Sequence, residues 1–152
     1  MTRHTYAAHL TWAGSTADGI RGYSRQHSVT APPATSALTL SADPAFRGDA
    51  GLLNPEQLLV AAASSCQLLS FLAVAARADV DVDVVDYEDR AEGFMDDADV
   101  PARISRVTLR PRITTSADPD LVARLVQEGH ELCFIANSLS GDVVVEPTVA
   151  AP

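Results

Sequence analysis

With 152 residues, the chain is long enough for one domain of ordinary size, and we expect a single domain over residues 1–152. Its apolar content of 47% supplies a core and excludes a disordered chain. The net charge is −9, and all 11 cations are arginines because the sequence contains no lysine. Such an acidic chain is a poor ligand for phosphate backbones or anionic lipids, so we expect no nucleic acid and no membrane as partner. The absence of lysine also excludes Schiff-base and Walker-lysine chemistry.

Alternating patterns predict three strands before the first helix. They cover residues 5–12, residues 22–30 and a short stretch over residues 38–40. A loop with proline and glycine follows over residues 43–53. The N-terminus has no apolar stretch of the signal-peptide type, and we expect a soluble, cytoplasmic protein.

The clearest helix signal begins at Asn54, an N-cap residue followed by Pro55 and the acidic Glu56. It predicts a helix that runs to about Ala78. Residues 57–76 carry no charge and match a membrane span in length, but alanine and serine dominate them, so we expect a central helix buried in a core. The predicted buried stripe has 3–4 spacing and consists of Leu59, Ala62, Cys66, Leu69 and Ala73.

The second half of the chain predicts fewer helical residues and more strands. Valine alternation indicates a strand over residues 80–92, an acidic turn over residues 93–101 and a strand over residues 103–114. Asp118 and Pro119 begin a second amphipathic helix, and residues 143–145 form a last strand. The order βββ-α-ββ-α-β does not alternate strictly, which predicts an α+β fold with an antiparallel or mixed sheet packed on helices.

Chemistry in this chain centres on Cys66 and Cys133, which are 67 positions apart and form no zinc framework. They are either two buried free thiols or a redox pair brought together by two helices. A thiol reacts as its thiolate, which requires a nearby cation when the cysteine lies in mid-helix. Without lysine, the candidates before the helix are Arg25 and Arg47, and Glu56 is placed to hold either guanidinium.

A Cys–His nucleophile built from Cys133 and His130 is a weaker alternative. The two residues are three positions apart on one helix face, but no third group that orients the histidine is evident.

Two segments of the sequence resemble the OsmC/Ohr family, the osmotically inducible and organic-hydroperoxide-resistance proteins. One is NPEQL at residues 54–58, with Cys66 ten positions after the glutamate. The other is HELCFIANSL at residues 130–139, followed by a valine-rich strand. The resemblance covers nearly the whole chain and includes the order of elements. Phe134 departs from it, because a proline often follows the second cysteine in the family.

The resemblance implies an OsmC-like α+β fold, with sheets wrapped around long central helices in an intertwined homodimer. It also implies a peroxidase that uses no metal or organic cofactor and reduces hydrophobic organic hydroperoxides. Cys66 matches the peroxidatic cysteine and Cys133 the resolving cysteine, with a disulfide between them that an external dithiol, of lipoyl type, reduces. Glu56 matches the glutamate that pairs with the catalytic arginine.

The family places that arginine either near the second strand, close to Arg25, or in the loop before the helix, close to Arg47. We slightly favour Arg47, because a glycine-containing loop allows it to move toward the thiol. The rival hypothesis is a non-catalytic OsmC-fold protein that binds a small molecule or senses redox state.

Helix geometry gives a separate reason to expect a homodimer. On one straight helix, the ten steps from Glu56 to Cys66 span about 15 Å and turn the two side chains roughly 80° apart. Glu56 therefore cannot readily orient an arginine against Cys66 of its own helix. We expect two chains to complete each other's active sites at their interface.

Overall fold

A computed structural model describes residues 1–78, 83–96 and 98–152 of the chain. The chain divides into two compact units, Met1–Leu58 and Leu59–Pro152. This division does not test the prediction of a single domain over residues 1–152, which stays a prediction. Val80 and Val82, with which the predicted strand over residues 80–92 begins, lie outside the described residues.

The N-terminal unit contains an antiparallel sheet in the order β1-β2-β3. Its strands are β1 (His9–Thr11), β2 (His27–Thr30) and β3 (Ala37–Leu40). The third strand matches its prediction, whereas the first two are shorter than predicted. Before β2, the Ile20 and Tyr23 carbonyls accept hydrogen bonds from the Arg25 guanidinium at 2.7 and 3.0 Å. These carbonyls therefore bond to a side chain instead of a neighbouring strand.

Helix α1 (Pro55–Arg77) has the bounds that the sequence predicts. Its cap is reciprocal: Asn54 Oδ1 accepts from the Gln57 N–H at 2.8 Å, and Gln57 Oε1 accepts from the Asn54 N–H at 3.0 Å. By length and composition alone α1 could cross a membrane, and 28% of its most apolar window is buried within the chain. Core helices of soluble proteins pass the same test.

The C-terminal unit contains two three-stranded sheets, in the orders β4-β7-β9 and β5-β6-β8. Each sheet pairs its first two strands antiparallel and its last two parallel. Its elements after α1 are β4 (Val84–Asp89), β5 (Glu92–Met95), β6 (Ile104–Leu109), β7 (Pro111–Thr115), α2 (Pro119–Glu131), β8 (Asp142–Val145) and β9 (Thr148–Ala150). The α+β class with mixed sheets is therefore confirmed, and so is the cap of α2 at Asp118, which accepts from the Leu121 N–H at 2.9 Å.

The predicted order βββ-α-ββ-α-β is wrong in detail, because the described elements follow βββ-α-ββββ-α-ββ. The predicted acidic turn over residues 93–101 begins inside β5, and β9 was not predicted. The predicted strand over residues 103–114 breaks at Arg110, whose N–H donates to Asp89 Oδ1 at 2.7 Å. Its guanidinium pairs with Glu92 and Glu146. These contacts turn the chain from one sheet into the other.

The core of this unit lies between the sheets and the inner faces of the two helices. Helix α1 contributes Ala63, Gln67, Phe71 and Val74, all buried. The predicted buried stripe is therefore wrong: Ala62 is exposed, Leu69 is 63% exposed and Cys66 is half-buried. Because α1 is apolar on every side, its sequence does not distinguish the face that packs in the core. The other buried core residues are Ala75, Val107, Leu109, Ile113, Val122, Leu125, Val126 and Val145.

Candidate active site

The structure brings the two cysteines together in the C-terminal unit. Cys66 is half-buried in the middle of α1, and Cys133 is fully buried just after α2. Both are free thiols, and their side chains lie close enough for each to shift the pKa of the other. Of the two alternatives left by the sequence, this contact favours a redox pair over two isolated core thiols.

The surroundings of Cys66 stabilise its thiolate. Burial raises the pKa of the Cys66 thiol, but hydrogen bonding from the Ile135 amide, the Cys133 thiol, the Ser70 hydroxyl and the Phe134 amide outweighs it. The net result is a pKa below the ordinary value for cysteine. At neutral pH Cys66 is therefore a better nucleophile than an ordinary thiol of the same burial.

Cys133 has the opposite character. Burial raises the pKa of the Cys133 thiol, and hydrogen bonding to Cys66 together with the charge of that thiolate raises it further. The Ala136 N–H, 3.5 Å from Cys133 Sγ, opposes this shift without reversing it. Of the two thiols, Cys66 is therefore the one that ionises more readily, and Cys133 is the one that keeps its proton.

The turn after α2 supplies the backbone donors of this site. The chain leaves α2 at Glu131, and the Cys133 N–H closes a turn to the His130 carbonyl at 3.1 Å. The next two amides, of Phe134 and Ile135, are among the groups that lower the pKa of Cys66. A proline at position 134 would lack this N–H, so the departure of this chain from the family pattern adds a donor for the thiolate.

A second feature is an aromatic cleft of about 440 Å³ within the N-terminal unit. Trp12, Tyr23 and Phe46 supply its aromatic walls, and Arg25 and Glu56 also line it. The Arg25 guanidinium stacks on the Tyr23 ring, 4.2 Å from its centroid. This contact and the two carbonyl bonds of Arg25 hold a fixed positive charge at the cleft.

Glu56 brings a carboxylate to the same cleft. Its Oε2 atom is buried and has no hydrogen-bond partner among the described residues. The start of α1 that carries Glu56 is tied to the preceding loop, because Asn54 Nδ2 donates to Asp43 Oδ2 at 3.2 Å. The structure therefore places Arg25 and Glu56 on one cleft, but the described residues show no ion pair between them, so their pairing stays a prediction.

Arg47 does not line the aromatic cleft. It ends a short 3-10 helix, Pro44–Phe46, in the left-handed conformation with φ of 67°, and its N–H donates to the Pro44 carbonyl at 3.0 Å. Together with Arg25 it lines a separate, more polar cleft beside Asp49. The geometry thus favours Arg25, and not the slightly preferred Arg47, as the partner of Glu56.

Sequence reasoning did not find Ser70, Phe134 or Ile135 as contributors to the site. Two of them act through backbone amides, which leave no signature in side-chain chemistry. In the described ranges, no three His, Cys, Asp or Glu side chains converge where a metal ion could bind.

Comparison with known proteins places this geometry in context. The model of the OsmC-like protein family matches residues 48–148 of the chain. No curated protein matches it. An OsmC-like protein of unknown function from Vibrio cholerae is 29% identical over 96% of this chain and 100% of its own length, with a TM-score of 0.83. The chain therefore has the OsmC-like fold that the resemblance implies.

Two more distant structures share the fold. An organic hydroperoxide resistance protein from Elizabethkingia anophelis, with thiocyanate bound, is 18% identical over 99% of both chains, with a TM-score of 0.73. The organic hydroperoxide resistance protein OhrB of Bacillus subtilis is 19% identical over 97% of this chain and 98% of its own length, with a TM-score of 0.65.

Proposed function

The chain belongs to the OsmC-like protein family, and on that premise we propose that it is a thiol peroxidase that reduces hydrophobic organic hydroperoxides to alcohols. The observation that carries the proposal is the pairing of two free thiols, Cys66 and Cys133, in which the pKa of Cys66 is lowered and the pKa of Cys133 is raised. This asymmetry supports Cys66 as the peroxidatic cysteine and Cys133 as the resolving one.

In the first step, the Cys66 thiolate attacks the terminal oxygen of the hydroperoxide R–O–OH. The O–O bond breaks, the sulfur gains the hydroxyl as a sulfenic acid, and the alkoxide leaves and takes a proton to become the alcohol. A cation near the leaving oxygen stabilises the charge that develops on it.

In the second step, the Cys133 thiol attacks the Cys66 sulfur and forms the disulfide, while the sulfenic hydroxyl and the thiol proton leave as water. The reaction as a whole consumes one hydroperoxide and two thiols and yields one alcohol, one water and one disulfide. We propose that an external dithiol, of lipoyl type, returns the disulfide to two thiols by exchange and is itself oxidised.

The decisive experiment mixes the reduced protein with cumene hydroperoxide and follows its free thiols by stopped-flow sampling. A peroxidase consumes two thiols per chain within seconds and releases one alcohol. Thiols that survive for many minutes would instead support a binding module that holds a small molecule without reducing it. The aromatic cleft of about 440 Å³ is where we would then look for that ligand.

We propose Arg25, held on one cleft with Glu56, as the cation that lowers the pKa of Cys66 in the assembled protein. Arg25→Met is expected to raise this pKa by about one unit or more, because a guanidinium close to a thiolate favours the charged form. Arg47→Met is the matched control and should leave it unchanged. The measurement is the ultraviolet absorbance of the thiolate against pH, in a Cys133→Ser background. A shift in the Arg47 variant alone would reverse the assignment.

We also propose a homodimer, in which a second copy covers the exposed face of α1. This face repeats at 3–4 spacing and is exposed throughout in one chain, whereas the opposite face is buried in the core. A regular apolar seam of this kind is typical of helix packing against another helix. Its members are Ala62, Ser65, Leu69, Leu72 and Ala76.

Light scattering at micromolar concentration is expected to give about twice the chain mass of 16.0 kDa. Leu69→Asp should shift the protein toward the monomer, because a buried unpaired carboxylate costs more than the apolar contact it replaces. Val100→Asp is the control, since Val100 is equally apolar and almost wholly exposed but lies outside α1. A wild-type monomer with full peroxidase activity would refute the dimer.

A further inference from the structure

Gln67, the residue directly after Cys66, is a fully buried polar side chain that links the two helices carrying the cysteines. Its Nε2 donates to the Val126 carbonyl in α2 at 3.1 Å. This bond fixes the orientation of the amide, so Oε1 is the atom that faces His130 Nδ1, at 3.1 Å. Both ends of the amide are therefore satisfied, which a buried polar group requires.

His130 extends this link to the sheet. It lies in the last turn of α2, three residues before Cys133, and its Nε2 is 3.0 Å from the Val143 carbonyl in β8. Both partners are oxygen atoms, so each ring nitrogen of His130 faces an acceptor. Since both nitrogens are engaged, neither serves as a base for Cys133, and the Cys133–His130 nucleophile considered from the sequence loses its support.

At the same place the backbones of α1 and α2 approach each other closely. A Cβ on Gly129 would lie 2.8 Å from the Phe71 nitrogen and 2.9 Å from its Cα, both backbone atoms of α1. The helices therefore cross with almost no clearance, and the Gln67–His130 bond fixes their register at that crossing. Cys66 precedes the link by one residue and Cys133 follows it by three.

We propose that Gln67 and His130 are a positioning pair that holds Cys66 against Cys133 and thereby sets the stability of the disulfide between them. A disulfide tolerates only a narrow range of distances and angles between its two cysteines. A small slide or rotation of α1 against α2 therefore lowers the stability of the Cys66–Cys133 disulfide. The role in turnover rests on the proposed peroxidase function. The disulfide equilibrium itself does not, because it is measured without peroxide.

The reaction to follow is exchange with glutathione. Reduced protein and one oxidised glutathione give the Cys66–Cys133 disulfide and two reduced glutathione molecules, so two electrons and two protons pass from the protein thiols to the small-molecule disulfide. Trapping free thiols and counting them by mass spectrometry gives the ratio of oxidised to reduced protein in each glutathione buffer.

Two substitutions of His130 separate its two bonds. In His130→Asn the amide nitrogen takes the place of Nδ1 and keeps the bond to Gln67, whereas in His130→Gln it takes the place of Nε2 and keeps only the bond to Val143. We expect His130→Asn to retain the wild-type ratio of oxidised to reduced protein. In His130→Gln this ratio should fall about tenfold, which equals a change of about 30 mV in the reduction potential of a two-electron couple. Gln67→Leu should lose about as much, and Gln67→Leu combined with His130→Gln should lose no more than either alone.

Gln127→Leu is the matched control, because Gln127 also bonds from α2 to a β8 carbonyl, that of Val145, at 3.4 Å. Because Gln127 is exposed, this variant should lose less folding stability than Gln67→Leu, and its disulfide ratio should be unchanged. If Gln67→Leu does not fold, the comparison of His130→Gln with His130→Asn carries the test alone.

Three results would overturn the inference: a wild-type chain that forms no disulfide with glutathione, equal shifts in the two His130 variants, or a ratio within twofold of wild type in the variant that lacks the Gln67 acceptor. Failure of the peroxide assay alone, with the expected shifts in glutathione, would overturn the proposed function and leave the positioning pair standing.

Discussion

Cys66→Ser is expected to abolish the reduction of cumene hydroperoxide. A serine hydroxyl has far too little anion at neutral pH to attack the O–O bond, and the donors around Cys66 that lower the pKa of a thiol cannot make up this difference. Removal of a catalytic nucleophile costs enzymes roughly a million-fold in turnover. The measurement is alcohol formation with a dithiol as the reductant, and residual turnover within tenfold of wild type would show that Cys66 is not the nucleophile.

Cys133→Ser is the companion variant, and it should separate the two cysteines. Cys66 then reacts once, and its sulfenic acid has no second thiol to attack it, so excess peroxide carries it on to the sulfinic acid. Mass spectrometry of the intact protein should show the gain of one oxygen and then of two, on a chain that no longer forms a disulfide. Normal turnover of this variant with a dithiol would contradict the resolving role of Cys133.

Gly129→Ala is expected to destabilise the fold at the place where α1 and α2 pack together. The new Cβ would overlap the Phe71 backbone of α1, and backbone atoms cannot turn aside as a flexible side chain can. Alanine gains about 1 kcal/mol in helix propensity over glycine, but separating two packed helices costs about 1–3 kcal/mol, and more where both contacts are backbone. Because both contacts here are backbone, the cost lies at the upper end of this range, and we expect a net loss in the free energy of unfolding of about 2 kcal/mol, measured by urea denaturation of the reduced protein.

Glu128→Ala is the control for this substitution, because Glu128 is the exposed neighbour of Gly129 on the same helix. It should change the stability by less than about 0.5 kcal/mol. The Gly129 variant should also form its disulfide with glutathione less readily, since its helices are pushed apart beside the Gln67–His130 link. A Gly129→Ala protein as stable as the wild type would show that the crossing of α1 and α2 is looser than the structure indicates.

The sequence by itself determined both ends of α1, the start of α2, the α+β class and the residues around which the chemistry is built. It also placed Cys133 on α2, which is wrong, because α2 ends at Glu131. Caps are local: Asn54 and Asp118 bond to amides three residues away, so no distant part of the chain is needed to recognise them. The family was recognisable for the same reason, because its two motifs are short segments around Cys66 and Cys133.

Only the tertiary structure decided which side of α1 packs in the core, where the strand over residues 103–114 breaks, and which arginine shares a cleft with Glu56. When a helix is apolar on every side, its sequence does not indicate which side is buried. Arg110 breaks the strand because it pairs with carboxylates that are distant in the sequence. Arg25 and Glu56 are 31 residues apart, and spacing alone did not separate Arg25 from Arg47. The backbone donors to Cys66 were also decided only by the tertiary structure, because a backbone amide contributes to a site only when the fold brings its N–H close to it.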